Sequence, residues 1–254
     1  MNDLLTISES LPEPPRKSFF RRHLFLSVAA LIGLCGFAFA GYVAYLTVSL
    51  PSVDELRSTN PAQTSLMRQR ASEAEAEGKE PRQIQYWVPL DRISENVVQA
   101  VRMGEDASFF THSGFDLYEL RESIRRNIER GEFVRGASTI TQQLAKNVYL
   151  STDKSLNRKL KEAILTYRLE QTLSKKRILE IYLNVIEWGD GVFGAEAAAR
   201  HHFGESAATL DPEQAARLAA MVPSPRRYLP GSRTPYLAER TATILGRMNA
   251  VQIP

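Results

Sequence analysis

The longest uncharged stretch of the sequence limits what this chain can fold into. No residue from Leu24 to Val53 carries a charge, and residues 24–50 are mainly Leu, Val, Ala, Phe and Gly. About 20 apolar residues in a helix span a bilayer core of about 30 Å. All basic residues of the N-terminus precede the stretch, and such residues mark the cytoplasmic side of a membrane span. The sequence therefore predicts a cytoplasmic tail over residues 1–23, a single transmembrane anchor over residues 24–50, and the remainder on the outer face.

Two other interpretations of the apolar stretch are open. It could be a buried helix of a soluble protein, although such a helix rarely runs this far without a charge. It could also be a cleaved signal peptide, whose apolar region normally has only about 7–15 residues. The segment Tyr42–Leu50 lacks a clear small-residue cleavage site, which favours the anchor.

Charge and cysteine content exclude several classes of protein. The 254 residues include 32 basic and 29 acidic side chains, for a formal net charge of +3. This bias is too weak to indicate a nucleic-acid partner. The single cysteine, Cys35, lies inside the apolar stretch, which excludes internal disulfides and a cysteine-based metal site.

The rest of the chain has a helical pattern. Residues 51–85 are polar, and the Ala/Glu run over residues 71–80 indicates a juxtamembrane connector with some helix, outside any core. Over residues 86–254 apolar side chains recur at helical spacing, with no useful alternating strand pattern. We therefore predict an all-α domain over residues 86–254. Helices are expected to begin at four cap residues, Ser94, Thr139, Ser174 and Asp211.

A loop between two helical patterns holds the first candidate site. Its sequence, EDASFFTHSGFD at residues 105–116, combines carboxylates, aromatic rings, a histidine and a glycine turn. One interpretation is a helix end followed by a surface turn. The other is a loop that presents Glu105 as a general base beside two phenylalanines, with Asp106 and His112 organising the loop.

The stretch GASTITQQLAKN, residues 136–147, begins a helix with an excess of polar side chains. Thr139 and Gln142 fit a capping box. Capping does not explain Thr141, Gln143, Lys146 and Asn147. A helix start with free N–H groups beside a lysine suits an anion such as phosphate. Further cations follow at Lys154, Arg158 and Lys159, although a run of charges is usually a solvated face.

The helical sequence over residues 156–173 has two apolar stripes. The first contains Leu160, Ala163, Ile164 and Tyr167, and the second contains Leu165, Leu169 and Leu173. A helix that is apolar on two sides is usually sandwiched inside a domain. Arg158 and Glu162 could form an exposed i, i+4 ion pair, but the second stripe favours a Glu162 buried in or beside a cleft.

Five segments, in this order, resemble the family 51 glycosyltransferases, the peptidoglycan polymerases that also form one half of class A penicillin-binding proteins. They are EDASFFTHSGFD, GASTITQQLAKN, RKLKE (158–162), SKKRILEIYLN (174–184) and AARLAAMVPSPRRYLP (215–230). The resemblance runs from about Trp87 to near the C-terminus. With no transpeptidase half, the chain looks like the monofunctional members, the biosynthetic transglycosylases. Departures are mild, at Ala137, Lys154 and His202, where glycine, arginine and tyrosine are frequent.

The resemblance implies a bilobed, lysozyme-like helical fold on the outer face of the bacterial inner membrane. The donor would be a glycan chain on undecaprenyl pyrophosphate, and the acceptor would be lipid II. A divalent metal, Mg²⁺ or Mn²⁺, is the implied cofactor, with ligands that the sequence does not identify. Cell-division or elongation proteins are candidate partners.

The resemblance also implies roles for the site residues. Glu105 would be the general base that deprotonates the acceptor 4-hydroxyl for an inverting attack, and Glu162 the second carboxylate, which positions the donor side and its cations. Because the leaving group is a pyrophosphate, cations matter more than a proton donor. The residues that would hold the substrates are Asp106, Phe109, His112, Ser138, Thr139, Gln142, Gln143, Lys146, Asn147, Lys154, Arg158 and Lys159.

Two rival functions are open. A membrane-bound lytic transglycosylase or muramidase shares a lysozyme-like fold and one essential glutamate, but cleavage of a neutral glycosidic bond needs neither the second carboxylate nor the cations. A non-catalytic scaffold of the cell-wall machinery is the other rival. The presence of both Glu105 and Glu162 argues against it.

Overall fold

The computed structural model describes residues 17–131, 138–232 and 234–251. The chain divides into two compact units after Ser49. Most of the predicted cytoplasmic tail, residues 1–16, lies outside the described residues, as do the first two residues of GASTITQQLAKN.

The predicted anchor forms one continuous helix, α1 (Lys17–Ser49). Its segment Arg21–Ser49 is long and apolar enough to cross a membrane. The large apolar side chains of this segment are exposed, for example Phe25 at 73% and Phe37 at 79%, so α1 is not a core helix. A signal sequence can have the same length and apolar composition.

The second unit is mainly helical, which confirms the predicted class; the bilobed, lysozyme-like arrangement stays a prediction. Its longer helices are α2 (Ser65–Ala76), α3 (Glu95–Glu105), α4 (Leu117–Arg130), α5 (Ile140–Tyr149), α6 (Leu156–Thr172), α7 (Lys175–Val185), α8 (Ala195–Phe203), α9 (Pro212–Met221) and α10 (Pro235–Val251), with short 3-10 helices at Asp54–Arg57 and Leu90–Arg92. The predicted caps of α3, α5, α7 and α9 each accept a hydrogen bond from a backbone N–H of the first turn.

A small three-stranded sheet accompanies the helices, with strand order β1-β3-β2. The strands are β1 (Ile84–Gln85), β2 (Glu187–Gly189) and β3 (Val192–Phe193), with β1 parallel and β2 antiparallel to β3. Two or three residues are too few to show an alternating pattern, which is why the sequence did not indicate strands. A Cβ at Gly191, where φ is +67°, would lie 2.4 Å from the carbonyl oxygen of Arg82.

Helix α7 is the centre of the core. Its apolar side chains, Ile178, Leu179, Ile181, Tyr182, Leu183 and Val185, are all fully buried, as expected for a helix with a wide apolar face toward the core. The fully buried Asn184 closes its C-terminal end by donating to the carbonyl oxygens of Val88 and Glu180, at 2.8 Å each. Alanine-rich α9 packs against α3 and α10.

The connector contributes to the core, which differs from the sequence-based expectation. Val53, Leu56 and Met67 are buried, and the guanidinium of Arg70 on α2 pairs with the buried carboxylate of Glu187 on β2 at 2.8 Å. The apolar residues of this segment are too few and scattered to form a recognisable stripe, so their burial depends on surfaces supplied by distant residues.

Two helices, α4 and α6, expose apolar side chains. The apolar residues of α4, including Leu117 and Ile128, are exposed. On α6 the second stripe is buried as predicted, but Tyr167 of the first stripe is 61% exposed. Helix α6 is therefore buried mainly on one side, and the side that is buried is the one that carries Glu162.

We expect Arg70→Ala to lower the free energy of unfolding by about 2–3 kcal/mol, somewhat less than the ~3–5 kcal/mol of a fully buried pair, because Arg70 is partly exposed. The loss should come from leaving the Glu187 carboxylate buried without its cation. Thermal unfolding of the full chain in detergent measures the change.

Two comparisons test the cause. Adding Glu187→Gln to Arg70→Ala removes the stranded charge and should recover part of the stability. Arg57→Ala, which breaks the exposed pair with Asp54, should change little. An Arg70→Ala protein as stable as the wild type would mean that the connector is not part of the folded core.

Candidate active site

Glu105 is the last residue of α3, and its side chain is 9% exposed. Each carboxylate oxygen accepts one hydrogen bond, Oε2 from Gln143 Nε2 and Oε1 from Arg240 Nη2, both at 2.8 Å. Tyr182 Oη in turn donates to Gln143 Oε1 at 2.9 Å. Since a carboxylate has about four lone-pair sites, Glu105 is held by donors while keeping acceptor capacity.

Helix α10 reaches Glu105 because the residue before it on α3, Gly104, has no side chain at the point of contact. A Cβ at Gly104 would lie 3.2 Å from Ile244 Cδ1 of α10. Arg240 Nη2 donates to the carbonyl oxygen of Gly104 at 3.1 Å, and Arg247 Nη1 to that of Met103 at 2.9 Å. Both bonds satisfy carbonyls that a helix C-terminus leaves free, where cations are also favoured.

Asp106 joins three segments through one buried carboxylate. His112 Nε2 lies 3.0 Å from Oδ1, and the backbone N–H of Ile140, at the start of α5, donates to Oδ2 at 3.0 Å. The N–H of Gly114 donates to His112 Nδ1 at 3.1 Å, so the proton of the neutral imidazole is on Nε2 and faces Asp106. Asp106 and His112 therefore hold the loop against the start of α5, and their predicted part in substrate binding stays a prediction.

The start of α5 is fixed by the predicted capping box. Thr139 Oγ1 accepts from the N–H of Gln142 at 3.2 Å, and Gln142 Oε1 accepts from the N–H of Thr139 at 3.0 Å. Thr139 Oγ1 also donates to the carbonyl oxygen of Gly114 at 2.7 Å. These two side chains therefore stabilise the helix start, and their role in substrate binding stays a prediction.

Glu162 is a buried carboxylate between two cations. Its side chain is 3% exposed and pairs with Arg158 Nη1 and, at 2.6 Å, with Lys159 Nζ. Lys159 Nζ also lies 3.4 Å from Ser138 Oγ, before the start of α5. The exposed ion-pair interpretation is wrong, because Glu162 shares the buried side of α6 with Leu165 and Leu169.

Lys146 is half-buried on α5, and no hydrogen bond or ion pair joins its ammonium to another described residue. Burial lowers its pKa below the usual 10.5, and the positive charges of Arg158 and Lys159 act in the same direction. The negative charges of Glu162 and Glu105 oppose this shift. Lys146 is therefore a desolvated cation within electrostatic reach of both carboxylates.

A cleft of about 590 Å³ opens beside these groups. Its lining includes Glu105, Asp106, Ser138 and Thr139 from the predicted set. Glu162 does not line the cleft, but Lys159 connects it to Ser138 on the cleft wall. The structure thus brings the predicted base, the loop and the start of α5 to one cavity. Glu162 and its two cations, Arg158 and Lys159, are connected to this cavity through Ser138.

The described residues offer one cluster of candidate metal ligands, Asp106, His112 and Asp116, whose ligand atoms lie within 4.8 Å of one another. Each of these three side chains already makes hydrogen bonds to other parts of the protein. Both ring nitrogens of His112 are hydrogen-bonded, Asp106 holds Ile140, and Asp116 caps α4 through the N–H of Glu119 at 2.8 Å. Mg²⁺ demands near-ideal octahedral oxygen coordination, which this cluster does not provide.

Three predicted substrate-binding residues do not line the cleft: two are buried and one is exposed elsewhere. Phe109 is wrong as a substrate contact, because its ring is fully buried in the core, 4.5 Å below the ammonium of Lys175. Asn147 is also buried, at 8% exposure. Lys154 is exposed in the segment before α6, so it is the one member of the set that fits a solvated charge.

Arg240 and Tyr182 were missed by sequence reasoning. Arg240 is 135 positions from Glu105, and nothing near it distinguishes it from other arginines of amphipathic helices. Tyr182 lies within one of the motifs, but its spacing predicts only a core residue. Tyr182 is indeed fully buried. Both act on Glu105 through long-range packing.

Known proteins resemble this chain over most of its length. The family model described as "Transglycosylase" matches residues 72–249. Proteins called biosynthetic peptidoglycan transglycosylase are similar in Nitrosospira multiformis, with 49% identity over 77% of this chain and 85% of theirs, and in Dechloromonas aromatica, with 51% over 77% and 84%. The one in Chromobacterium violaceum is 44% identical over 92% of this chain and 99% of its own length.

We expect Asp106→Ala to loosen the start of α5, because the Ile140 N–H and His112 would lose their acceptor, at about 1–3 kcal/mol for each buried unsatisfied group. Asp106→Asn keeps one acceptor oxygen and should cost less. Amide hydrogen exchange at Ile140, together with thermal unfolding, measures both variants. Equal protection of Ile140 in the wild type and in Asp106→Ala would contradict this role.

Proposed function

The chain belongs to the transglycosylase family, and on that premise we propose that Glu105, Lys146 and the Glu162 cluster carry out its glycosyl transfer. The family membership makes the chain a peptidoglycan glycosyltransferase, which polymerises glycan strands from lipid II. The observation that best supports the proposed roles is the position of Glu105, held by two donors at the wall of the cleft.

Glu105 serves as the general base in this proposal. The acceptor 4-hydroxyl binds in the cleft and transfers its proton to a free lone pair of the Glu105 carboxylate, while its oxygen attacks the anomeric carbon of the donor. A new carbon–oxygen bond forms as the bond to the pyrophosphate breaks, and the pyrophosphate leaves with the electron pair. Attack from the face opposite the leaving group inverts the configuration.

Lys146 stabilises the departing pyrophosphate. Its ammonium is desolvated and makes no hydrogen bond to the described residues, so binding an anion restores the interactions that burial removed. Arg158 and Lys159 are already shared with Glu162. Glu162 therefore fixes the positions of two cations near the donor, and Lys146 supplies the donors that are free.

The same contacts argue against the two rivals. Hydrolysis of a glycosidic bond needs a protonated carboxylic acid beside the leaving oxygen, but Glu105 faces two hydrogen-bond donors and Glu162 faces two cations. Both carboxyl groups are thus arranged as acceptors. A scaffold has no need for a half-buried cation, Lys146, that forms no hydrogen bond or ion pair with another described residue.

The substrates also fit the N-terminal helix. Peptidoglycan synthesis places the chain in the cell envelope, and we propose that α1 anchors it in the inner membrane in a single pass with the catalytic unit on the outer face. Because the donor and the acceptor are lipids, an anchored enzyme lies in the same membrane as both of its substrates. The divalent metal that the resemblance implies has no preformed cage among the described residues, because Asp106, His112 and Asp116 are held by other hydrogen bonds.

We predict that Glu105→Gln lowers polymerisation of lipid II by about 10²- to 10⁴-fold, because the variant keeps the shape but cannot accept the proton. The matched control is Glu95→Gln, at the exposed first turn of the same helix α3, which should keep wild-type activity. Gel analysis of glycan products, with circular dichroism to check folding, measures both.

Two results would contradict the proposal. Glu105→Gln with normal chain growth would remove Glu105 from the base role. Release of soluble muropeptides from finished peptidoglycan, without growth from lipid II, would favour the lytic enzyme.

We predict that Lys146→Ala slows turnover by about 10- to 100-fold, because it loses one or more charge-assisted hydrogen bonds, with the fold preserved.

In the wild type, turnover should fall as pH rises through the pKa of Lys146, which burial places below 10.5. Lys146→Arg keeps its charge at high pH, so its alkaline limb should move to higher pH. Burial raises the pKa of Tyr182 well above 10, so Tyr182 does not produce this limb. Coinciding alkaline limbs in the wild type and Lys146→Arg would exclude Lys146 as the titrating cation.

A further inference from the structure

A second cavity, of about 350 Å³, lies beside the cleft and is lined by four arginines. Arg126 and Arg130 come from α4, and Arg240 and Arg247 from α10. We call it the arginine pocket. It shares Gly104, Arg126 and Arg247 with the lining of the cleft, so the two cavities adjoin at the end of α3.

Packing accounts for the two arginines of α10. Arg240 and Arg247 donate to carbonyl oxygens of the last turn of α3, and Arg240 also pairs with Glu105. Even so, the buried Nε of Arg240 has no hydrogen-bond partner among the described residues. Arg240 and Arg247 are therefore held in place, and their remaining N–H groups can donate hydrogen bonds to a ligand.

Packing does not account for the two arginines of α4. Arg126 and Arg130 are exposed and one helical turn apart, and no hydrogen bond or ion pair joins either of them to another described residue. Like charges at this spacing destabilise a helix. By contrast, the neighbouring Arg125 is paired with Glu122 at 2.7 Å. Of the described carboxylates, only that of Glu105 is ion-paired with a member of the arginine pocket.

The uncompensated charge points to an anion with several oxygens. A guanidinium binds phosphate through two parallel hydrogen bonds, and a pyrophosphate carries two phosphate groups that can meet arginines from both helices. None of Lys146, Arg158 and Lys159, the cations assigned to the donor, lines the arginine pocket. The pocket is therefore separate from the proposed site of the leaving group.

We infer that the arginine pocket binds the pyrophosphate of the acceptor lipid while its sugar hydroxyl reaches Glu105 in the adjoining cleft. The assignment to the acceptor depends on the proposed role of Glu105. The hydroxyl that reacts and the pyrophosphate are at opposite ends of the acceptor disaccharide. Two adjoining cavities, one with the base and one lined by four arginines, match such a molecule. Arg240 contacts Glu105 and also lines the arginine pocket. It therefore links the place where the hydroxyl binds to the place where the pyrophosphate binds.

The test removes Arg126 and Arg130, the two arginines of the pocket that form no hydrogen bond or ion pair with another described residue. We compare Arg126→Gln/Arg130→Gln with a matched control on the same helix, Arg121→Gln/Arg125→Gln, which has the same spacing and loses the same charge but does not line either cavity. With preformed lipid-linked glycan as saturating donor and lipid II varied as acceptor, the first variant should raise KM for the acceptor about tenfold or more. The control should match the wild type, and kcat should stay within about twofold in both.

A binding measurement separates this inference from the role of Glu105. Calorimetry of the full chain in neutral detergent, with inorganic pyrophosphate as the probe, should show one class of site lost in Arg126→Gln/Arg130→Gln and kept in the control and in Glu105→Gln. If pyrophosphate binding and acceptor KM are the same in the two double variants, the inference is wrong. It is also wrong if the arginines bind phosphatidylglycerol in mixed micelles but not pyrophosphate, because the pocket would then serve bilayer headgroups.

Discussion

The C-terminus of α3 is the point on which the site depends. Two adjacent carboxylates leave it in different directions, Glu105 toward Gln143 and Arg240, and Asp106 toward His112 and the first N–H of α5. The base, the loop and the helix that supplies Lys146 are thus positioned by one helix end. Because Asp106 fixes the start of α5, and α5 carries both Gln143 and Lys146, a shift at this end would move the base and the donor cation together.

Local interactions made part of this site predictable. The capping box of Thr139 and Gln142 spans three residues, and the burial of Glu162 follows from the stripe it shares with Leu165 and Leu169. The contact of Arg240 with Glu105 depends on how closely α10 approaches Gly104, and the burial of Phe109 depends on the loop folding inward. Such features arise from long-range packing, for which no short pattern exists, and the same holds for the connector and the two-residue strands.

Charge is distributed unevenly around the two carboxylates. Glu162 is neutralised by Arg158 and Lys159, and Glu105 by Arg240 alone. Around these carboxylates, the cations that form no ion pair with another described residue are Lys146 on one side and Arg126, Arg130 and Arg247 on the other. Excess buried or clustered cations are costly without an anion. Both substrates of a glycan polymerase carry a pyrophosphate, so the unpaired charges lie where the bound state would neutralise them.

The orientation of Glu105 is set by the core rather than by the surface. Tyr182 is fully buried on α7, and burial, with the nearby charges of Glu105 and Asp106, raises its pKa well above 10. Its hydroxyl therefore remains a donor throughout the working pH range and occupies the amide oxygen of Gln143. That contact leaves the amide nitrogen of Gln143 facing Glu105, so only one orientation of the amide satisfies both neighbours. Because the apolar side chains of α7 are all buried in the core, this helix has little freedom to rotate, and through Gln143 it gives the base a fixed direction toward the cleft.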